Sequence, residues 1–126
     1  MNYCDGSHLE QMFCHDYVTK FETQYPDFHW SEVQQEIFEM LKQVFLGASK
    51  LAAPQGIAPS PQSRAMYAVD LMLKWSDERH SAMVPQILEI NWGPDCQRAC
   101  DYYPEFFNDV FSTLYLDNEP KNSTLL

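Results

Sequence analysis

The sequence predicts an α+β domain in which helices pack on one antiparallel β-hairpin, and three observations carry that expectation. Apolar residues recur at three- and four-residue intervals over residues 31–50. They change to alternation over 64–75 and again over 84–92, with only a short polar stretch between, which is the pattern of a hairpin. A second helical stripe follows over 104–116. With 126 residues, 45% of them hydrophobic, the chain suits one core and not two.

Taken in order, residues 1–15 lack a period and Gly6 interrupts them, so they read as an irregular approach. Asp16 then caps a short helix with Val18 and Phe21 on one side, and Pro26 stops it. The next helix is stronger. Ser31-Glu32-Val33-Gln34 has capping-box spacing, and Val33, Ile37, Phe38, Leu41, Val44, Phe45 and Ala48 supply an apolar face as far as about Lys50. Pro54, Pro59, Pro61 and Gly56 make 53–63 a connecting loop, since they sustain neither helix nor ladder. In the first strand Ala65, Tyr67, Val69, Leu71 and Leu73 share one side, and Met66, Ala68, Asp70, Met72 and Lys74 the other. Residues 76–80 turn the chain. The second strand is expected to carry Leu88 and Ile90 on one face and Ile87, Glu89 and Asn91 on the other. Gly93-Pro94 ends the hairpin, and Pro104 opens a last helix with Phe107, Val110, Phe111 and Leu114 on its stripe.

The net charge of −10 is shared equally between the two halves, and no cluster of cations is present to grip a phosphate backbone, so nucleic acid is not an expected partner. The longest apolar run, 65–69, is far below the roughly 18 residues of a membrane span. The N-terminus has an early acid and no apolar core, unlike a secretory signal. A cytoplasmic protein is therefore expected. In that compartment Cys4, Cys14, Cys96 and Cys100 remain thiols, and the Asn122-Ser123-Thr124 sequon is silent.

Chemistry is concentrated on the hairpin. Asp70 sits between Ala68 and Met72 on its face of the first strand, and Glu89 and Asn91, two apart, share a face of the second. Carboxylates on an apolar sheet face are costly to bury without a compensating cation, so two acids and an amide converging there suggest a divalent metal. Magnesium suits such hard oxygen ligands and commonly shares them with nucleotide phosphates. A hairpin with one wet face would carry the same acids with no ligand, and spacing alone leaves both readings open. Lys74 and Arg64 fall on the Asp70 face by parity, as phosphate or carboxylate contacts or as surface pairs. Cys96 and Cys100 are four apart but have no second pair at zinc spacing. Cys14-His15 lacks an orienting third group for nucleophilic work.

The stretch around Asp70-Leu71-Met72-Leu73-Lys74-Trp75, followed by Gln86-Ile87-Leu88-Glu89-Ile90-Asn91-Trp92-Gly93-Pro94, resembles the closing part of the tubulin-tyrosine ligase-like family. The likeness extends over most of 15–117. It implies an ATP-grasp fold, of which 1–118 would be the C-terminal part: 1–52 mainly helical, 53–63 loop, 64–92 hairpin, 104–116 helix, with 119–126 a polar tail. It implies an enzyme class that activates a carboxylate with ATP as an acyl phosphate and joins amino acids to tubulin. Asp70, Glu89 and Asn91 would then be magnesium and ATP-phosphate ligands, with Lys74 nearby at the nucleotide. None of these residues is assigned a catalytic role. The family's phosphate-holding lysines and adenine pocket belong to an N-terminal lobe upstream of this sequence, which would be its partner, so the piece alone is expected to be inactive. Tubulin or microtubules are the implied macromolecular partner, with a cytoskeletal association. Their acidic tail needs basic surface that a segment of charge −10 does not offer. The sequence departs from the pattern at Asp95, where ligating relatives carry a small hydroxyl residue, and this supports the alternative of a non-catalytic pseudo-enzyme that binds tubulin or other proteins.

Overall fold

A computed structural model describes residues 11–77, 82–120 and 123–126. The approach segment expected over 1–10, including Cys4, the turn residues 78–80 and Asn122 of the sequon lie outside them. The element order is α1 (Cys14–Gln24), α2 (Trp30–Ala48), β1 (Tyr67–Trp75), β2 (Met83–Trp92), α3 (Cys96–Tyr102) and α4 (Phe106–Leu116). The expected α+β class is therefore present, among the described residues, as four helices and one antiparallel two-stranded hairpin.

Both early helices start before the residues expected to cap them. Asp16 lies inside the first turn of α1, where its charge favours the N-terminal dipole, and Phe13 occupies the cap position without a side-chain bond. Ser31 lies inside α2, so its capping box is not used. The Trp30 amide donates instead to Glu22 Oε1 of α1 at 2.9 Å. A carboxylate from the preceding helix thus satisfies one of the donors that the first turn leaves free.

The core is small. Among the described residues the buried hydrophobic side chains are Phe21, Val33, Ile37 and Met83, with Tyr25, Phe28, Trp30, Phe38, Leu41, Leu71, Leu73 and Trp75 packed around them. Trp75 closes the far end of β1 against Tyr25 and Phe28, each ring centroid 5.4 Å away. The Tyr17 phenol is raised above its ordinary value by burial and then by neighbouring Tyr25, so it stays neutral well past pH 7.

The loop between α2 and β1 is tied to the helix end. Ile57 donates to the Ala48 carbonyl and Ala58 to the Leu51 carbonyl, each at 2.9 Å, and so occupies acceptors that the helix terminus cannot pair itself. Arg64 lies before β1 rather than on it. Its Nε donates to the Leu114 carbonyl in the last turn of α4 at 3.1 Å, and its Nη1 to Ser63 O at 2.9 Å, so its charge serves a helix C-terminus.

Helix α3 was not among the predicted elements, because seven residues are too few to show a stripe. Asp95 caps it, its Oδ1 accepting from the Arg98 amide at 3.0 Å. Helix α4 begins at Phe106, two residues later than expected. It turns Phe106, Val110 and Leu114 towards Ala65 and Met66, while Phe107 and Phe111 are 54% and 56% exposed. Half of the predicted inner stripe thus faces outward. The helix ends on Asp117 in the left-handed region, φ 52°, with the Asn118 amide donating to Ser112 O. Asp117→Gly is expected to raise stability by about 0.5–1 kcal/mol, because glycine adopts that conformation without Cβ strain and removes an anion from a helix C-terminus. A higher urea midpoint checks this, and an unchanged one contradicts it.

Candidate functional site

The hairpin register decides which side chains can meet. Tyr67 pairs with Trp92, Ala68 with Asn91, Val69 with Ile90 and Asp70 with Glu89; then the ladder shifts, and Leu71 pairs with Ile87. Leu88 is the extra residue of a β-bulge, opposite no single partner and 60% exposed. Beyond it Leu73 pairs with Pro85 and Trp75 with Met83, all on the side that faces the helices.

That bulge corrects one expectation. Ile87 was placed on the face of Glu89 and Asn91, by alternation carried straight through 87–91, yet it faces the core opposite Leu71. With strict alternation the buried Met83 and Pro85 would have drawn Glu89 and Asn91 inward as well, since all four are odd-numbered positions of one strand. The added residue changes the phase. Glu89 and Asn91 consequently project from the face that carries Ala68, Asp70, Met72 and Lys74.

Asp70, Glu89 and Asn91 are thus brought together. Asp70 and Glu89 are direct cross-strand partners, a relation that sets Cβ atoms about 4.5–5.5 Å apart. Asn91 donates from Nδ2 to Glu89 Oε1 at 2.8 Å, which fixes that carboxylate and turns the amide oxygen of Asn91 outward from the bond. All three are exposed. Two like charges directly opposite one another destabilise a ladder unless something positive sits between them. Lys74 shares the face but stands four residues along, opposite Val84, so it borders the group rather than entering it. The donor set, two carboxylates and an amide on an open face, fits a hard divalent cation that retains water and phosphate ligands.

The remaining candidates resolve differently. Among the described residues no group of three or more His, Cys, Asp or Glu is placed to hold a metal ion. Cys96 and Cys100 are half-buried free thiols on α3, Cys96 donating to Pro94 O at 3.3 Å. Cys14 is an exposed thiol, while His15 Nε2 sits 3.0 Å from Asp16 Oδ1. Sequence reasoning read Asp95 as a departure and missed its work as a cap. The signal was present in Gly93-Pro94-Asp95 followed by Cys96, Ala99 and Cys100 at helical spacing.

A family model described as the tubulin-tyrosine ligase family matches residues 2–124. Human tubulin-tyrosine ligase-like protein 12 is 52% identical over 119 residues, 93% of this chain and 18% of that protein. The mouse protein of the same name is 50% identical over 119 residues, 93% of this chain and 19% of its own length, and that of Caenorhabditis elegans 45% over 116 residues, 92% and 17%. The chain thus spans less than a fifth of the length of the curated relatives it matches. No solved structure matches it. No described helix is long and apolar enough to cross a membrane. Over nearly its whole length, the chain belongs to the tubulin-tyrosine ligase family.

Proposed function

We propose that this chain supplies the magnesium-holding, ATP-phosphate-facing end of an ATP-grasp ligase domain that acts in the modification of tubulin in the cytoplasm. The observation that carries the reading is the direct opposition of Asp70 and Glu89 on the open hairpin face, with Asn91 bonded to Glu89. Asp70 and Glu89 would hold Mg²⁺, which would offset the repulsion of two carboxylates placed face to face and would supply positive charge for nucleotide phosphates. When bound, Mg²⁺ and ATP supply the activation of a carboxylate as an acyl phosphate. The residues of this chain hold and orient: Glu89 is braced by Asn91, Asp70 faces it from β1, and Lys74 adds a positive charge along the same face. Asp95 fits this reading better than its departure from the family pattern suggested. Serine, threonine and aspartate are all strong N-caps, so the α3 start just past the site is kept by either choice.

The alternative function, a non-catalytic module that binds tubulin or other proteins, is favoured by a separate observation. Trp92 is 81% exposed, and Phe107, Phe111 and Tyr115 of α4 line the same open groove. Contiguous exposed aromatics of this kind mark protein contact. The two readings differ at the acids.

Mn²⁺ as a paramagnetic stand-in for Mg²⁺ tests the first reading on the chain itself. Selective broadening of amide signals around Asp70, Glu89 and Asn91 is expected, and Glu89→Gln is expected to weaken it roughly tenfold or more, the cost of one charged contact. ATP binding by this chain alone is expected no tighter than about millimolar, since charged contacts from elsewhere in the domain are lost. Broadening centred on other acids, or unchanged by Glu89→Gln, overturns the placement.

A further inference from the structure

Ser60 is the one serine or threonine of the sequence that is followed by proline. It lies in the loop between α2 and β1, where Pro54, Pro59 and Pro61 exclude helix and ladder pairing, and the residue is exposed. A residue before proline is held in extended backbone, the conformation in which a kinase cleft takes an acceptor segment. The hydroxyls of Thr19, Thr23, Ser49, Thr113 and Ser123 each donate to a carbonyl three or four residues back. That of Ser60 bonds to nothing among the described residues.

The residues after Ser60 place a cation beside it. The Ser63 amide donates to the Ser60 carbonyl at 3.1 Å, closing a turn with Pro61 in its favoured second position. Arg64 folds back over this turn. Its Nη1 donates to Ser63 O at 2.9 Å and to Pro61 O at 3.3 Å, while its Nε holds Leu114 O at the end of α4. Among the described residues both Nη2 hydrogens are left without an acceptor, and no carboxylate pairs with the guanidinium. Three neutral carbonyls thus fix a cation over the residue that follows Ser60, with its remaining donors idle.

We propose that Ser60 is a phosphorylation site for a proline-directed kinase, and that Arg64 Nη2 holds the phosphate, tightening the tie between the approach to β1 and the end of α4. The kinase moves the γ-phosphoryl of ATP to Ser60 Oγ: the bond to the leaving ADP oxygen breaks, the Oγ–P bond forms and the hydroxyl proton passes to the kinase's base. The product sets a charge of about −1.5 to −2 and three strong acceptors beside the guanidinium. Charge-assisted bonds on Nη2 add to the three existing bonds rather than replacing them. The modification is independent of the magnesium reading, since none of Asp70, Glu89 and Asn91 enters it.

Incubation of this chain with a purified proline-directed kinase and Mg-ATP, followed by tandem mass spectrometry, tests the site. One phosphate on Ser60 is expected. Ser60→Ala should abolish it, and Pro61→Ala should lower incorporation about tenfold or more by removing the ring that the kinase selects. The Arg64 Nε–H resonance and hydrogen exchange read the second half of the proposal. Phosphorylation is expected to shift that resonance and to slow exchange of the Asn118 amide, which closes α4 on Ser112 O, about threefold, within the range of an exposed ion pair. In Arg64→Gln the phosphate should still be added and the slowing lost. No phosphate on Ser60, incorporation indifferent to Pro61→Ala, an unmoved Arg64 resonance, or equal slowing in Arg64→Gln would each overturn the assignment. So would faster exchange at Asn118, which would mean that the phosphate draws Arg64 off the Leu114 carbonyl.

Discussion

Replacing Phe21 by alanine is expected to remove most of the chain's stability at room temperature. Its ring is 5% exposed and lies 5.5 Å from the Tyr25 ring and 5.4 Å from that of Trp30, so truncation removes a shared wall rather than one contact. Phenylalanine-to-alanine changes in cores cost about 3–5 kcal/mol. Whole domains are stable by only about 5–15 kcal/mol, and a core whose buried hydrophobics among the described residues are Phe21, Val33, Ile37 and Met83 places this chain near the lower bound. The measurement is far-UV and near-UV circular dichroism with a urea titration. A urea midpoint lowered most of the way to zero is the expected result, and Phe107→Ala, at a 54% exposed position, should stay within about 0.5 kcal/mol of wild type. A Phe21→Ala chain with the wild-type urea midpoint would show that the helical layer does not hold the hairpin as described. The same reasoning predicts a broad thermal transition for the unmodified chain.

Gly56→Ala is expected to be the most damaging change outside the core. A Cβ built on Gly56 would stand 2.3 Å from the Leu51 carbonyl oxygen and 2.4 Å from that of Ala48, and both obstacles are backbone. Those two oxygens accept the Ala58 and Ile57 amides that fasten the loop to the end of α2. Relief therefore requires breaking the fastening. We expect a loss of about 2–3 kcal/mol, the upper part of the range for overpacking, with a lowered urea midpoint and faster hydrogen exchange at Ile57 and Ala58. Exposed Gln55→Ala serves as the neutral neighbour. Equal midpoints for Gly56→Ala and wild type would mean that the loop lies farther from the helix end.

What was legible in the sequence was whatever depends on period alone. Residues 31–50 and 64–75 showed their elements because side-chain spacing follows directly from helical and pleated geometry. Parity also put Asp70 on the Met72 face and kept Glu89 with Asn91. The start of α2 was misread at Ser31 because its donor is met by Glu22, from another element, and a local capping rule cannot see that. Helix α3 was too short for periodicity, although its cap was visible. The outward turn of Phe107 and Phe111 was hidden for a different reason. An apolar stripe records that a helix side is fit for burial, not that anything here buries it. Arg64 was assigned by extending the strand pattern three residues past its true start, whereas its guanidinium is claimed by the Leu114 carbonyl.

The bulge at Leu88 has a consequence for how the length of this chain can vary. A β-strand with one buried face does not ordinarily tolerate gaining or losing a residue, since everything beyond the change swaps inside for outside. In β2 the swap has already been absorbed. Without Leu88 the chain would join Ile87 directly to Glu89, and Leu71 and Asp70 would still find those two as consecutive partners. Position 88 is accordingly where β2 can shorten by one residue and keep Met83, Pro85 and Ile87 inward and Glu89 and Asn91 outward, whereas a deletion at 86 or 90 would change its paired positions. A gap in an aligned homologue at this place would leave the acid pair intact.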